Sequence, residues 1–370
     1  MSTCRVLVIG GYGFFGRRLV QRLARMPGLH VLVAGRSAQA AAALVQELRP
    51  RSGATLEAVE LDALDQALGP RLLQLLPDIL VNASGPFQRH DYRIPRAAIA
   101  GGCHSIDLAD GRAYVTGIAE LDAEALAAGV LVTSGASSVP ALSSAAADHL
   151  VRGMRTVQAI DIGISPGNRT ERGLSTVQAI LSYCGQPLPA ARGHRATGWS
   201  GSRRHRYPAP VGSRLLSPCD VPDLALLPQR YAGAPAVQFG AGLELEFLHR
   251  GMNLMAWCAR KGLVRDWAKH ARALKRAADL FRHRGSDAGA MHVTATGLAA
   301  DGQPVTRTWQ LVASHGDGPF VPTLAAAALV RKMRAGAPLP AGAMPCVGLL
   351  TLEDILHEAD GLHITTETVA

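Results

Sequence analysis

Residues 4–16 read Cys-Arg-Val-Leu-Val-Ile-Gly-Gly-Tyr-Gly-Phe-Phe-Gly, a short apolar run that ends in closely spaced glycines. Gly11, Gly13 and Gly16 form G-x-G-x-x-G directly after a predicted strand, Cys4 to Ile9, and at the opening of a predicted helix, Gly13 to Met26. Each glycine has a physical reason. Gly11 permits a tight turn, Gly13 lets backbone approach a pyrophosphate, and Gly16 allows close packing of helix on strand. The helix N-terminus then favours an anion. Gly11, Tyr12, Gly13, Phe14, Phe15 and Gly16 are therefore the candidate dinucleotide cradle; the competing reading is a structural glycine turn.

Outward from this segment, strands and helices alternate. Strands are predicted at His30 to Ala34, Thr55 to Leu61, Asp78 to Asn82, Cys103 to Leu108 and Val130 to Thr133. Helices fall between them at Ala38 to Leu48, Asp65 to Leu76, Pro95 to Ala100 and Val115 to Ala128. The alternation predicts an α/β fold, a Rossmann-type doubly wound parallel sheet over residues 1–140. The pattern then changes. Thr156 to Ile164, Met291 to Thr296 and Val305 to Ala313 read as longer strands, the last two joined at Asp301-Gly302, a hairpin signal. Residues 141–318 are expected to form a second, α+β domain with a largely antiparallel sheet, for substrate or dimerisation. Between its strands, residues 192–235 are rich in Gly, Pro, Ser and Arg, which suggests long loops and short edge strands over a cleft. A helix near 319–335 is expected to pack back on the first domain, leaving a C-terminal segment, 336–370.

The second strand ends Val-Ala-Gly-Arg-Ser, with Arg36 twenty residues beyond Gly16, where an NAD-binding chain places an acid on the ribose 2′-hydroxyl. A guanidinium instead pairs with a 2′-phosphate through several donors, and Ser37 can add a hydroxyl. NADP is the expected cofactor; the bland alternative is an exposed arginine at a helix start.

The chain has 370 residues, 48% of them hydrophobic and 18% charged, enough apolar material for more than one core. The longest apolar stretches, such as Leu324 to Val330, fall well short of the roughly 20 residues of a membrane span. The apolar segment from Val6 runs into Gly10 and lacks a signal peptide's pattern, so Met1 is expected to start the mature chain. Six cysteines are scattered without C-x-x-C spacing, which suggests reduced thiols, a cytoplasmic setting and no zinc or other metal site.

The net charge of +9 is unevenly placed. Residues 1–150 carry 13 basic and 13 acidic side chains, whereas residues 151–318 carry 22 and 11. Arg250 to Arg284 alone holds ten basic residues against Asp266 and Asp279. Within it, Trp267, Ala271, Leu274, Ala278 and Phe281 follow a helical apolar stripe with cations elsewhere on the wheel. This basic amphipathic helix is a solvated face, a lid over an anionic substrate, or a contact for a membrane surface or nucleic acid. No reading helix, zinc finger or aromatic RNA motif accompanies the charge, which disfavours nucleic acid.

The glycine turn, Ala34-Gly35-Arg36, Asn82-Ala83-Ser84-Gly85-Pro86-Phe87, Gly102 to Asp107 and Ser134 to Pro140 together resemble the saccharopine dehydrogenase-like family. The resemblance covers most of the chain and is strongest to about residue 145. It implies that Ala83, Ser84, Gly85 and Pro86 lie beside the nicotinamide half of NADP, and that Asp62 lies near the adenine. Ser105 stands where the family often has an aromatic, so the resemblance does not fix the substrate.

Hydride transfer requires alignment of a substrate carbon and often a proton donor. Asp107 and Asp110 follow the fifth strand at its carboxyl end, the edge where open α/β sheets bind ligands. Each could instead be a turn or capping aspartate. His104 and Asp107 point to opposite faces of a strand, against a His–Asp dyad. His90, beyond the Ser-Gly-Pro-Phe loop, is a further acid or base candidate. Arg169, Arg172, Arg203, Arg204 and Arg206 are available for a substrate carboxylate. The sequence thus points to an NADP(H)-dependent oxidoreductase for a small anionic, amino-acid-like metabolite, with a C–N bond suggested by the family. The alternative is a non-catalytic NADP-binding regulator or scaffold that uses the basic helix. A homodimer through the second domain and a monomer both remain open.

Overall fold

The computed structural model describes residues 3–65, 67–85, 87, 91–188 and 196–369. Two compact units divide the chain: Met1–Leu142 with Phe320–Asp360, and Ser143–Pro319 with Gly361–Ala370.

Among the described residues of the first unit, seven strands form one sheet: β1 (Cys4–Ile9), β2 (Leu29–Gly35), β3 (Thr55–Glu60), β4 (Ile79–Asn82), β5 (His104–Asp107), β6 (Leu131–Ser134) and β13 (Gly342–Pro345). Their spatial order is β13-β6-β5-β4-β1-β2-β3, and every pairing is parallel. The chain runs outward from β1 in both directions, so a topological switch point lies between the carboxyl ends of β1 and β4. Helices α1 (Phe14–Leu23), α2 (Ala38–Leu48), α3 (Leu68–Leu75), α4 (Arg93–Ala100), α5 (Arg112–Gly117) and α6 (Asp122–Ala128) link the strands. The strand interiors Val6 to Ile9, Val31 to Ala34 and Ile79 to Val81 are buried, as near-continuous apolar runs in a doubly covered sheet should be. Leu7, Ile9, Leu32, Ala34 and Leu80 share a core with Leu68 and Leu72 of α3 and Ile94 and Ala98 of α4.

The predicted helix Val115 to Ala128 is instead two helices joined by a 3-10 turn, Ile118–Leu121. The tighter turn brings Ile118 and Leu121, three residues apart, onto one face, and both are buried. Helix α12 (Val321–Arg334) belongs to this unit, and its run Leu324 to Val330 is buried all round, which explains an apolar stretch without a polar face. It packs on α1 and on α13 (Leu352–Leu356).

The second unit holds a mixed sheet of seven strands among the described residues, ordered β14-β12-β11-β7-β10-β9-β8. These are β7 (Met154–Ser165), β8 (Arg203–Arg206), β9 (Ser213–Pro218), β10 (Ala236–Ala241), β11 (Gly289–Ala299), β12 (Pro304–Ala313) and β14 (Ile364–Val369). Only β7 and β10 pair in parallel. Asp301-Gly302 closes the β11–β12 hairpin, with Gly302 at φ +87° and the Asp301 carboxylate accepting the Gln303 N–H. Helices α7 (Ser143–Leu150), α8 (Leu174–Ser182), α9 (Asp223–Arg230), α10 (Glu246–Arg260) and α11 (Ala271–Asp279) complete the unit. The predicted helix from Trp267 begins as a 3-10 turn, Trp267–His270, and Asp266 caps that turn by accepting the Ala268 N–H. The segment 336–370 divides: β13 joins the parallel sheet and β14 the mixed one.

Candidate dinucleotide site

Strand β1 delivers Gly10 to the switch point at φ +72°, a left-handed conformation that suits glycine. A Cβ at Gly10 would meet Ala83 and Ser84 at 3.2 Å, so the loops after β1 and β4 abut. A Cβ on Gly11 would press Val33 at 2.9 Å, one on Gly13 would lie 2.9 Å from the Gly10 carbonyl oxygen, and one on Gly16 would overlap that same oxygen. The Gly13 N–H donates to the Gly10 carbonyl at 2.8 Å, which closes the turn into α1. Among the described residues no side chain caps this helix end, and its first turn carries no acid. The N–H groups of Phe14, Phe15 and Gly16 therefore remain to meet an anion, and the bare α-carbons leave room for one to approach. These features fit a dinucleotide pyrophosphate.

Arg36 leaves the end of β2 exposed and makes no ion pair or hydrogen bond among the described residues. Its flanks are fixed. The Tyr12 ring lies against Gly35, where a Cβ would overlap it, and the Tyr12 hydroxyl accepts the Ser37 N–H at 2.8 Å. The Ser37 hydroxyl accepts the Ala40 N–H at 3.2 Å and so caps α2, which leaves its own O–H free to donate. Asp62 is exposed just beyond β3, and its carboxylate accepts the Leu64 N–H in a local turn.

On the β4 side, Asn82 is a residue the sequence reading did not single out. Its side-chain oxygen accepts both the N–H and the hydroxyl of Ser84, at 3.0 and 2.5 Å, which folds Ala83 and Ser84 back toward Gly10. Its Nδ2 is buried without a hydrogen-bond partner among the described residues. The polar residue closing an apolar strand was the available signal. Gly85 is exposed, while Phe87 is buried against Tyr114, whose ring also meets Tyr92. Pro86 and His90 lie outside the described residues.

Asp107 ends β5 and is buried. Its Oδ1 accepts the Ala109 N–H, the Gly135 N–H and the Ser134 hydroxyl, each at 2.9 Å, and so ties the loop after β6 to the end of β5. Burial pushes its pKa up to about 6, against the pull of those hydrogen bonds. Asp110 is half-buried in the same loop. His104 stands apart from both, its Nδ1 accepting the Leu131 N–H at 3.0 Å.

The second unit gathers a polar cluster that sequence spacing could not reveal, because its members come from β7, from β8 and the residue after it, and from β11. Asp161 pairs with Arg203, and its carboxylate lies 3.5 Å from Nε2 of the buried His292. The Tyr207 hydroxyl meets His292 Nδ1 at 2.9 Å, and His205 stacks on His292 at 3.7 Å. Burial alone would raise the Asp161 pKa, but His292 and the Arg203 guanidinium together hold it below the usual carboxylate range. Among the other arginines considered for a carboxylate, Arg169, Arg204 and Arg206 are exposed, and Arg172 has buried Nε and Nη2 atoms without a hydrogen-bond partner among the described residues.

Residues 6–133 match the family model described as the saccharopine dehydrogenase NADP binding domain. No curated protein matches the sequence. The fold resembles that of apo saccharopine dehydrogenase (L-Glu forming) from Saccharomyces cerevisiae, with a TM-score of 0.68 and 15% identity over 99% of this chain and 100% of that one. An amine dehydrogenase from Mycobacterium smegmatis matches with a TM-score of 0.48 and 13% identity over 95% of this chain and 96% of its own. The glycine cradle, the switch point and the matched domain agree on a nicotinamide dinucleotide as cofactor. Residues 6–133 thus match a saccharopine dehydrogenase NADP binding domain, and the fold of the chain resembles that of saccharopine dehydrogenase.

Proposed function

We propose that the chain is an NADP(H)-dependent oxidoreductase acting on a small anionic, amino-acid-like metabolite, with a C–N bond as the reacting bond. The observation that carries the reading is Arg36: an exposed guanidinium without a partner among the described residues, at the end of β2 beside the glycine cradle. An acid at this position would repel a 2′-phosphate, whereas a guanidinium offers it a fork of donors. The bound cofactor supplies hydride chemistry at its nicotinamide ring. Gly11, Gly13 and Gly16 would hold the pyrophosphate, Arg36 and Ser37 the 2′-phosphate, and Asp62 would border the adenine. Ala83, Ser84 and Gly85, folded back by Asn82, would border the nicotinamide half. Pro86 completes that proposed loop, and His90 remains a candidate acid or base.

Asp107 and Asp110 divide the remaining work. Three hydrogen bonds to one carboxylate oxygen of Asp107 support a role in positioning the loop that follows β6, and Asp110, half-buried at the carboxyl edge of the sheet, is the candidate chosen for test as a proton carrier. The test is loss of NADPH absorbance across a panel of keto acids with ammonia or amino acids, together with the reverse reaction in NADP. Turnover that falls in Asp110→Asn while cofactor affinity holds supports the reading. Tight cofactor binding without turnover on any compound favours the regulator or scaffold instead.

A further inference from the structure

Helix α10 is amphipathic in an unusual sense, because it turns a largely apolar face to water. Phe247, Arg250, Leu254, Trp257 and Lys261 recur at helical spacing, and all five are exposed. The apolar members are 47%, 61% and 50% exposed, respectively. The opposite side buries His249 and Ala256. Leu263 and Leu280 follow in the next segments at 67% and 72% exposed, and they lie in the stretch with ten cations against Asp266 and Asp279. The inner stripe read from the sequence is otherwise satisfied. Ala271 is buried, Phe281 meets Phe247 at 5.0 Å between ring centroids, and the Trp267 indole donates to the Met255 carbonyl at 2.9 Å. Trp267 and Phe281 flank α11, so these contacts tie its two ends to α10; they cover part of Phe247, while Leu254 and Trp257 of the outward stripe stay exposed.

We propose that this outward face of α10, together with the exposed basic segment that follows it in the chain, docks on an anionic lipid surface. Charge complementarity selects the occupant. Arg260, Lys261, Arg265, Lys269, Arg272 and Arg276 are exposed and would face lipid phosphates, while Phe247, Leu254 and Trp257 enter the boundary between headgroups and acyl chains. A second copy would set the same cations against one another. A nucleic-acid backbone would satisfy the cations and leave the apolar side chains in water. The wet apolar stripe costs solvation that insertion at an interface would recover.

The test is co-sedimentation of the full chain with vesicles of phosphatidylcholine, with or without phosphatidylglycerol, alongside tryptophan fluorescence. Trp199 and Trp309 are fully buried and Trp267 is partly buried, so a blue shift reports mainly Trp257. The expected result is recruitment to the anionic vesicles only, a blue shift on binding, and release at roughly 1 M salt, where charges are screened within about 3 Å. Leu254→Gln with Trp257→Gln is expected to lower partitioning at least about tenfold while preserving the melting transition, since both side chains are already exposed. No recruitment, equal recruitment to neutral vesicles, or unchanged binding by the double variant overturns the proposal. So does a concentration-dependent dimer or a nucleic-acid complex that the double variant abolishes while vesicles recruit nothing.

Discussion

The Tyr12 hydroxyl accepts the backbone N–H of Ser37 at 2.8 Å, across the bare α-carbon of Gly35. This bond fixes the chain on both sides of Arg36, so the glycine-rich loop and the proposed 2′-phosphate ligand are parts of one arrangement. Tyr12→Phe keeps the ring and removes the acceptor. The loss is expected to weaken NADPH binding roughly fivefold, about the worth of one hydrogen bond, and NADH binding less. Fluorescence titration of both nucleotides measures it; equal effects on the two would detach Tyr12 from Arg36.

Gly16→Ala places a methyl group on the Gly10 carbonyl oxygen. It is expected to cost about 1–3 kcal/mol of stability and to abolish dinucleotide binding, because α1 must move away from β1. Gly69→Ala in α3 is the control. Nothing lies within 4 Å of its added Cβ, so it should stabilise by about 0.5–1 kcal/mol through helix propensity. Urea unfolding of the two variants should move in opposite directions.

The parallel sheet through β6 was legible because each buried strand is a run of apolar residues punctuated by glycine or a polar cap. Strand β13 was not. Gly342-Ala-Met-Pro345 is four residues with weak strand propensity, and its place is supplied by pairing with β6. The Asp301-Gly302 hairpin was readable from local turn chemistry. Asn82 was legible only as the end of a strand, since its hold on Ser84 depends on the path of the loop. The cluster at Asp161, Arg203 and His292 joins strands far apart in the chain, and no local pattern encodes that pairing.

Asp223 supplies a pH test. It is fully buried beside the Ser143 hydroxyl, and burial pushes its pKa up to about 6 from 3.8 despite that hydrogen bond. Between these values the unfolded chain has released a proton that the folded chain keeps. The stability present below about pH 4 is therefore lost as pH rises through about 6 and levels off above it. Asp223→Asn should remove this loss, so its stability should fall by about 1–3 kcal/mol less than wild type's between about pH 4 and pH 7. Urea midpoints at the two pH values decide, and parallel behaviour of the two proteins would contradict the assignment.

Glu244 anchors the second unit. Its carboxylate pairs with Arg214 at 3.0 Å and accepts the N–H of Asn168, the N–H of Ser286 and the Ser286 hydroxyl. Arg214 is 8% exposed, so removal of the acid leaves a cation stranded. Glu244→Ala is expected to destabilise by about 3–5 kcal/mol, and Arg214→Met introduced with it should recover part of the loss. Differential scanning calorimetry tests both; a neutral single variant would count against a structural role.

The central claim is that Arg36 reads the 2′-phosphate. Isothermal titration of wild type and Arg36→Ala with NADPH and NADH tests it without requiring a substrate. Wild type should prefer NADPH, and the variant should lose roughly tenfold or more for NADPH, about 1.5–3 kcal/mol for a charge-assisted contact, with NADH affinity nearly unchanged. Equal losses for the two nucleotides, or no heat with either on wild type, would contradict the account.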